Sequence, residues 1–366
     1  MFPSKRNTIR HFYRIEHMEQ SDASLLLFAQ NLVTKQNVVV KLLRMYKDVR
    51  YSLGTPAERL ECQLEALRRN RKFTSGVYIG LAEICELDIF QGNMGISKII
   101  RQPTLKKLDS DCEFGLLMHP LPSDRRLDSL LKEEDDVSLR YYLQILIKRL
   151  VHMHAKLPAP LVPADGIQWG SVEQLRRKLV DNFTLLEQAL ASNPGLQNDL
   201  YASLKETLAQ IWTLKSYQRH FGQRVFEQRI KSCHGDLKSP NIWIAPHDYQ
   251  HDKQSWRCVR ILDAIDFNPQ FYNIDTLSDI AMLVVDIQAR TKTPLLADLM
   301  LEDYLKYTRQ QDEVSRSVLA YYCVEKAIVG AAVSVVDDHL PDLGLAFWKV
   351  AHLRMEDLKR RMGMMG

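Results

Sequence analysis

Cys233-His234-Gly235-Asp236-Leu237-Lys238-Ser239-Pro240-Asn241 runs directly into the apolar triplet Ile242-Trp243-Ile244. One polar loop thus carries an acid, a lysine and an amide, and feeds a short strand. The polar stretch His247–Ser255 follows. After it comes Val259–Asp263, an apolar run that ends in a carboxylate and continues as Ala264-Ile265-Asp266-Phe267. Two short apolar runs separated by a polar stretch read as a β-hairpin. Chance supplies any one of these residues readily, but rarely the whole order.

On both sides of the hairpin the apolar residues recur at helical spacing. Leu127–Leu131, Leu139–His154, Val172–Ala191 and Leu196–Phe226 precede it, with Asn193-Pro194-Gly195 breaking the last two apart. Asp275–Ala289, Leu296–Gln310, Glu313–Val336 and Leu345–Met362 follow. Upstream of Pro120 and Pro122 the character changes. Ala23–Leu32, Asn37–Leu43, Val77–Leu87 and Phe114–Met118 read as strands, with Thr34-Lys35-Gln36-Asn37 as a turn. Pro56–Arg71 reads as a helix, with Pro56 suited to its first turn and Leu60, Leu64 and Leu67 on one face. The two prolines mark a hinge. The fold class is therefore α+β. A small β-rich lobe spans residues 1–117 and a large helical lobe residues 118–366, with a helical insert at about 165–232 ahead of the loop.

Composition narrows the function classes. The chain has 366 residues, 46% of them hydrophobic, enough to bury a sizeable core. A formal net charge of only +4 argues against a nucleic-acid partner. The six cysteines are scattered, with no Cys-x-x-Cys pair, which argues against zinc and disulfide frameworks. Met1–Arg14 is basic but lacks the apolar core of a signal peptide. Runs such as Ser24–Ala29 and Ile280–Val285 are far shorter than a membrane span. The expectation is a soluble cytoplasmic protein with no membrane partner.

His234-x-Asp236-x-x-x-x-Asn241 has the spacing of a kinase catalytic loop. There the Asp accepts or orients the proton of the attacking hydroxyl, and the Asn reaches a metal ion bridging the phosphates. A strand-ending acid soon afterwards, here Asp263, is where kinases place a second metal ligand. Val38-Val39-Val40-Lys41 resembles the strand-borne lysine that holds nucleotide phosphates. Glu61 and Glu65, four apart on the following helix, are both placed to pair with it.

With these motifs, and with Asn273-Ile274-Asp275-Thr276-Leu277-Ser278-Asp279-Ile280-Ala281 and Val285-Asp286-Ile287 beyond them, the chain resembles the aminoglycoside phosphotransferase and choline kinase superfamily. It resembles more narrowly a bacterial aminoglycoside-phosphotransferase-family or gluconokinase-like branch, from about residue 20 to about residue 340. The resemblance implies a protein-kinase-like bilobal fold and transfer of a phosphoryl group from ATP, with Mg2+, to a hydroxyl of a small molecule. It implies Asp236 as the catalytic Asp, whereas Lys238 departs from the small-molecule branch and stands where protein kinases often carry Lys, a point charge placed for the γ-phosphate. Asn241 and Asp263 become the magnesium ligands. Lys41 holds the phosphates, with Glu65 as its partner ahead of Glu61, and Met118, His119 and Pro120 offer backbone groups to the adenine. Asp279 braces the catalytic loop, His234 is structural, and Asp266 aids the metal or faces the substrate.

Some positions depart from the kinase pattern. No Gly-x-Gly-x-x-Gly precedes Lys41, which leaves Ser21 or Ser24 as donors to the phosphates. The stretch from Asp263 to Asp279 is too short for a peptide-binding activation segment. Gly235 stands where protein kinases have Arg. In the insert, Trp169, Glu173, Asp181, Glu187 and Asp199 offer an aromatic and acidic lining for a cationic substrate. A protein kinase, a nucleotidyl transferase and a non-catalytic nucleotide-binding regulatory module are the alternatives.

Overall fold

A computed structural model describes residues 9–47, 52–104, 108–163, 165–193, 200–245, 255–291, 293 and 295–364. The chain forms two compact units. One comprises residues 1–122 with 261–269, the other residues 123–260 with 270–366. Asp263 therefore belongs with the strand-rich unit, whereas the two-lobe division read from the sequence assigned it to the helical one. The interior of the polar turn His247–Ser255, the Pro194-Gly195 break and Asp199 lie outside the described residues.

The first unit is a closed antiparallel barrel. Its strands are β1 (His11–Gln20), β2 (Ser24–Asn31), β3 (Asn37–Leu43), β4 (Tyr78–Asp88), β5 (Asn93–Ile100) and β6 (Glu113–Met118), in the order β1-β2-β3-β6-β4-β5. β1 and β5 carry no clean period-2 pattern and were not legible as strands. They close the barrel by pairing Tyr13 with Met94, while Tyr13 also faces Asn31 of β2. Closure leaves no strand edge exposed. Gly80 sits at a break in register between β4 and β6, where a Cβ would lie 2.3 Å from the Ile100 carbonyl oxygen. Only glycine fits there.

The pleat of β3 sorts its residues. Val38, Val40 and Leu42 enter the cluster with Leu25, Leu27, Ala82, Ile84 and Leu117. Val39 joins the other cluster, with Leu60, Leu67, Leu81 and Leu116, under α1 (Pro56–Phe73). Lys41, two residues beyond Val39, projects from that same side of the strand. The helix starts where Pro56 suggests, with a capping box between Thr55 and Glu58. Its Arg59 side chain bonds Glu113 of β6.

The second unit is built around α9 (Glu313–Val336), which packs against α4 (Val172–Ser192), α6 (Lys215–Phe226), α7 (Thr276–Arg290) and α10 (Pro341–Arg361). α2 (Leu127–Glu133), α3 (Asp136–Lys156), α5 (Leu200–Ile211) and α8 (Leu295–Thr308) complete the helices. α9 is long and apolar enough to cross a membrane, but most of it is buried as the core helix of this unit. Glu325-Lys326 interrupt its apolar residues. Those two are buried, and Glu325 pairs with Lys178 of α4 at 2.9 Å.

Leu196–Phe226 is not one helix. It breaks at Trp212, whose ring packs on Tyr321 at 5.5 Å and on Phe221 at 5.9 Å. Thr213 Oγ1 donates to the Gln210 carbonyl, and Gln218 Nε2 donates to that of Trp212. Side-chain bonds of this kind replace helix ladder bonds and end the helix. Two short pairs of strands remain. β7 (Ile230–Ser232) pairs with β10 (Asn273–Asp275), and β8 (Ile242–Ile244) pairs with β9 (Val259–Ile261), the expected hairpin.

Candidate active site

In the strand-rich unit, Lys41 Nζ donates to Asp263 Oδ1 at 2.5 Å. Burial works against the Lys41 ammonium, but Asp263 and then Asp266 outweigh it and raise its pKa. The expected partner is a correction. Glu65 bonds Arg68 of its own helix, Nε to Oε2 at 2.6 Å, and Glu61 is exposed. The face of α1 that meets the 261–266 segment carries Cys62, Arg69 and Asn70 instead. Glu65 lies on the same stripe as Cys62 and Arg69 but is taken by Arg68, whereas Glu61 lies off it.

The backbone around Asp263 is held by bonds that sequence reasoning missed. Thr74 Oγ1 donates to the Ile261 carbonyl at 2.6 Å and accepts from its N–H at 2.7 Å. The Asp263 N–H donates to Tyr78 Oη at 3.2 Å, and the Ala264 N–H to Asn70 Oδ1 at 3.0 Å. Arg69 Nε donates to the Ile265 carbonyl at 2.5 Å. Asp263 itself has φ 62°, a left-handed conformation that costs a non-glycine residue energy and is kept only where its surroundings impose it. Asn70 and Thr74, four apart at the end of α1, were the available signal. Asp266 accepts from Cys62 Sγ at 3.5 Å. Burial pushes the Asp266 carboxyl up to about 6, against the pull of Lys41 and with Asp263 adding to the rise. Burial, then Asp266, also holds the Cys62 thiol well above its ordinary range.

The turn between β1 and β2 is closed on itself. The Ser21 and Ser24 hydroxyls lie 3.0 Å apart, and the Ser24 N–H donates to Ser21 Oγ. Arg44 Nη1 donates to the Ser21 carbonyl at 2.8 Å, placing at this turn a cation that no motif in the sequence marks. At the expected hinge, Met118 ends β6 opposite Val39 and Tyr78. The His119 N–H is engaged by the Val77 carbonyl at 2.9 Å and is not offered to a ligand. His119 and Pro120 are exposed.

In the helical unit, the loop from Cys233 to Asn241 hangs from α7. Asp279 accepts the backbone N–H of Gly235 at 2.8 Å and of His234 at 3.1 Å. Its Oδ2 also lies 3.1 Å from His154 Nε2, and His154 Nδ1 lies 2.7 Å from Tyr304 Oη. Burial would raise the Asp279 carboxyl, but the His154 bond and charge reverse this and hold it below the usual range. Asp286 accepts the Ser239 N–H at 2.7 Å, and Arg290 Nε at 2.7 Å. Asp275 caps α7 through the Leu277 N–H and takes both arms of the buried Arg224. Asp279 is thus a brace, as expected, while Asp275 does the capping. Gly235, at φ 90°, allows two successive N–H groups to converge on one carboxylate.

Within the loop, Asn241 Nδ2 donates to the Asp236 carbonyl at 2.9 Å and to Asp236 Oδ2 at 3.1 Å. Lys238 Nζ lies 3.2 Å from the same Oδ2. Burial opposes the charge on Lys238, but Asp236 and then Asp338 outweigh it and raise its pKa. Asp338, just past α9, was not foreseen. Burial pushes its carboxyl up while Lys238 draws it down. Asn241 turns its amide nitrogen to Asp236, so its carbonyl oxygen remains for a cation.

Among the described residues of the insert, the groups expected to form an acidic lining are engaged with neighbours of their own. Trp169 Nε1 donates to the Leu161 carbonyl, Glu173 pairs with Arg177, and Glu187 accepts from Lys205. Asp181 accepts from Gln270. These groups are partnered with their neighbours, as solvated helix faces commonly are.

No family model matches the chain, and no curated protein does. Solved structures do. An ethanolamine kinase of Plasmodium vivax superposes with a TM-score of 0.53 at 12% identity, over 96% of this chain and 84% of that one. The aminoglycoside phosphotransferase APH(2'')-Ib, in its ADP-bound form, gives 0.45 at 14% identity, over 95% and 96%. The first likeness shows that the chain shares a kinase-like fold along nearly its whole length.

Proposed function

We propose that the protein transfers the γ-phosphoryl group of ATP to a hydroxyl of a small molecule. The observation that carries this is the Asp236 carboxylate, held by Asn241 and Lys238 in a loop whose backbone is clamped to Asp279. Phosphoryl transfer asks for a positioned base, clamped phosphates and neutralised charge more than for covalent help. Asp236 takes the proton of the attacking hydroxyl. Lys238 stands beside it as a point charge for the transferring group. Lys41 binds phosphate oxygens. Lys41 would exchange its bond to Asp263 for one to phosphate, leaving the Asp263 carboxylate able to hold a cation. Asn241 and Asp263 would hold magnesium, which neutralises phosphate charge. A small acceptor is favoured over a peptide because few residues separate Asp263 from α7. The fold shared with an ethanolamine kinase supports this reading.

The test is ADP release from magnesium-ATP with a panel of aminoglycosides, aminosugars, sugar acids, amino alcohols and nucleosides. Transfer of label from γ- but not α-labelled ATP is expected with one class. Transfer of α-label instead would make the protein a nucleotidyl transferase. The Asp263→Ala variant is expected to lose magnesium-dependent ATP binding, and unchanged binding removes Asp263 from the metal site.

A further inference from the structure

Behind the Asp236 loop, wholly within the helical unit, is a cavity of about 390 Å³. Its walls include His154, Arg229, Lys231, Tyr304 and Gln310. Nothing in the phosphotransfer reading uses it. We infer that this cavity binds a small anion that also carries a hydroxyl, and that its occupancy is transmitted to the catalytic loop.

The recognising chemistry comes from three side chains. Lys231 has no ion-pair partner among the described residues. Arg229 meets Glu227 at 3.3 Å, and both side chains are 36% exposed, so a bound anion can compete for the guanidinium. Gln310 is only 2% exposed, yet its side-chain carbonyl has no hydrogen-bond donor among the described residues. A buried polar atom of this kind calls for a partner, and a ligand hydroxyl supplies one. The volume lies within the range of ordinary small-molecule sites. Glu227 is also in the wall and is turned to Arg229, so the two cations outnumber the acid and favour an anion, while the orphaned acceptor favours one that carries a hydroxyl, such as a phosphorylated polyol or hydroxy acid.

The route to the loop is short. Lys231 is the central residue of β7, which runs straight into Cys233 and the loop. Tyr304 and His154, both in the wall, form the relay that ends on Asp279 Oδ2, and Asp279 holds the N–H groups of His234 and Gly235. A ligand that orders these wall residues stabilises the brace. By linkage, whatever orders the loop must tighten the ligand by the same factor. Binding and ordering are independent of the phosphotransfer reading, because neither requires turnover.

The experiment is calorimetric titration of the full chain with glycerol 3-phosphate, with inorganic phosphate as the arm lacking a hydroxyl. Hydrogen exchange at the His234 and Gly235 amides is measured in parallel. Saturable binding of glycerol 3-phosphate is expected at millimolar concentration. It should weaken by about tenfold or more in Lys231→Glu, since that loses a charge-assisted bond. Arg229→Gln gives the same reading should the first variant not fold. Inorganic phosphate should bind more weakly, and exchange at Gly235 should slow with glycerol 3-phosphate. Absence of saturable binding, or binding unchanged in these variants, overturns the site. Phosphate binding as tightly overturns the role of Gln310. Unchanged exchange at saturation overturns the coupling. Failure of ADP release with every acceptor would leave each of these outcomes standing.

Discussion

The segment around Asp263 hangs from Thr74, Asn70, Tyr78 and Arg69, contributed by α1, its C-cap and β4. The loop around Asp236 hangs instead from carboxylates of one helix, Asp279 and Asp286, with Asp275 fixing the start of that helix. The first arrangement is nearly neutral, with one cation. It adds no further carboxylate to the two already crowded near Lys41, and one of those, Asp266, is raised toward neutrality. The second uses buried anions as acceptors for backbone N–H groups, and charge-assisted bonds are stronger than neutral ones. The loop bearing the proposed base is therefore held more stiffly than the segment bearing the proposed metal ligand.

The largest expected effect is that of removing the base. Asp236→Ala should lower kcat by about 10²–10⁴-fold, the usual contribution of a positioned acid–base group, in steady-state assays of the folded variant. A loss of less than a few-fold would take the base away from the helical unit and end the comparison.

Next are the supports themselves. Asp279→Ala strands two backbone donors and a buried histidine and should cost about 3–5 kcal/mol in urea unfolding, as for a broken buried pair. Asn70→Ala should cost about 1–3 kcal/mol, the range for one buried group left unsatisfied. Equal costs would show that the ionic brace has no advantage over the neutral one.

A smaller effect separates the two regions by pH. The folded-state pKa of Asp266 lies above its ordinary 3.8, at about 6. The folded protein thus keeps a proton that the unfolded chain releases in this window. The stabilisation is complete below it and is lost as pH rises through it. The stability of the wild type relative to Asp266→Asn should therefore fall between pH 3.8 and about 6. A flat or rising difference, followed by denaturant titration across these pH values, would place an ionised carboxylate there.

Smallest of all is Glu65→Gln. A partly exposed pair with Arg68 is worth about 0.5 kcal/mol or less. ATP affinity, measured by calorimetry, should not change. A large loss would restore Glu65 as the partner of Lys41.

Legibility follows from locality. The helical unit's loop and its supports were readable because Asp236 and Asn241 share one loop, while Asp275, Asp279 and Asp286 recur on one face of one helix. α9 coincides with its expected bounds because its period is unbroken. Neither β1 nor β5 could be read, since each is defined by its pairing with other strands rather than by alternation of its own. Trp212 ends a helix through contacts with Tyr321, which lies far along the chain.

The residues alone determined the chemistry on offer: a loop with an acid, a lysine and an amide, a strand ending in Asp263, and a lysine on β3. Spacing along a chain is enough to say this, because each motif lies within a few residues. Only the tertiary structure decided which groups meet. It paired Lys41 with Asp263 rather than Glu65, and gave Asp266 a raised pKa beside Cys62. It also gathered Thr74, Asn70, Tyr78 and Arg69 around one segment. Those outcomes depend on the phase of α1 against the barrel and on desolvation, and both are set by packing between elements distant in sequence.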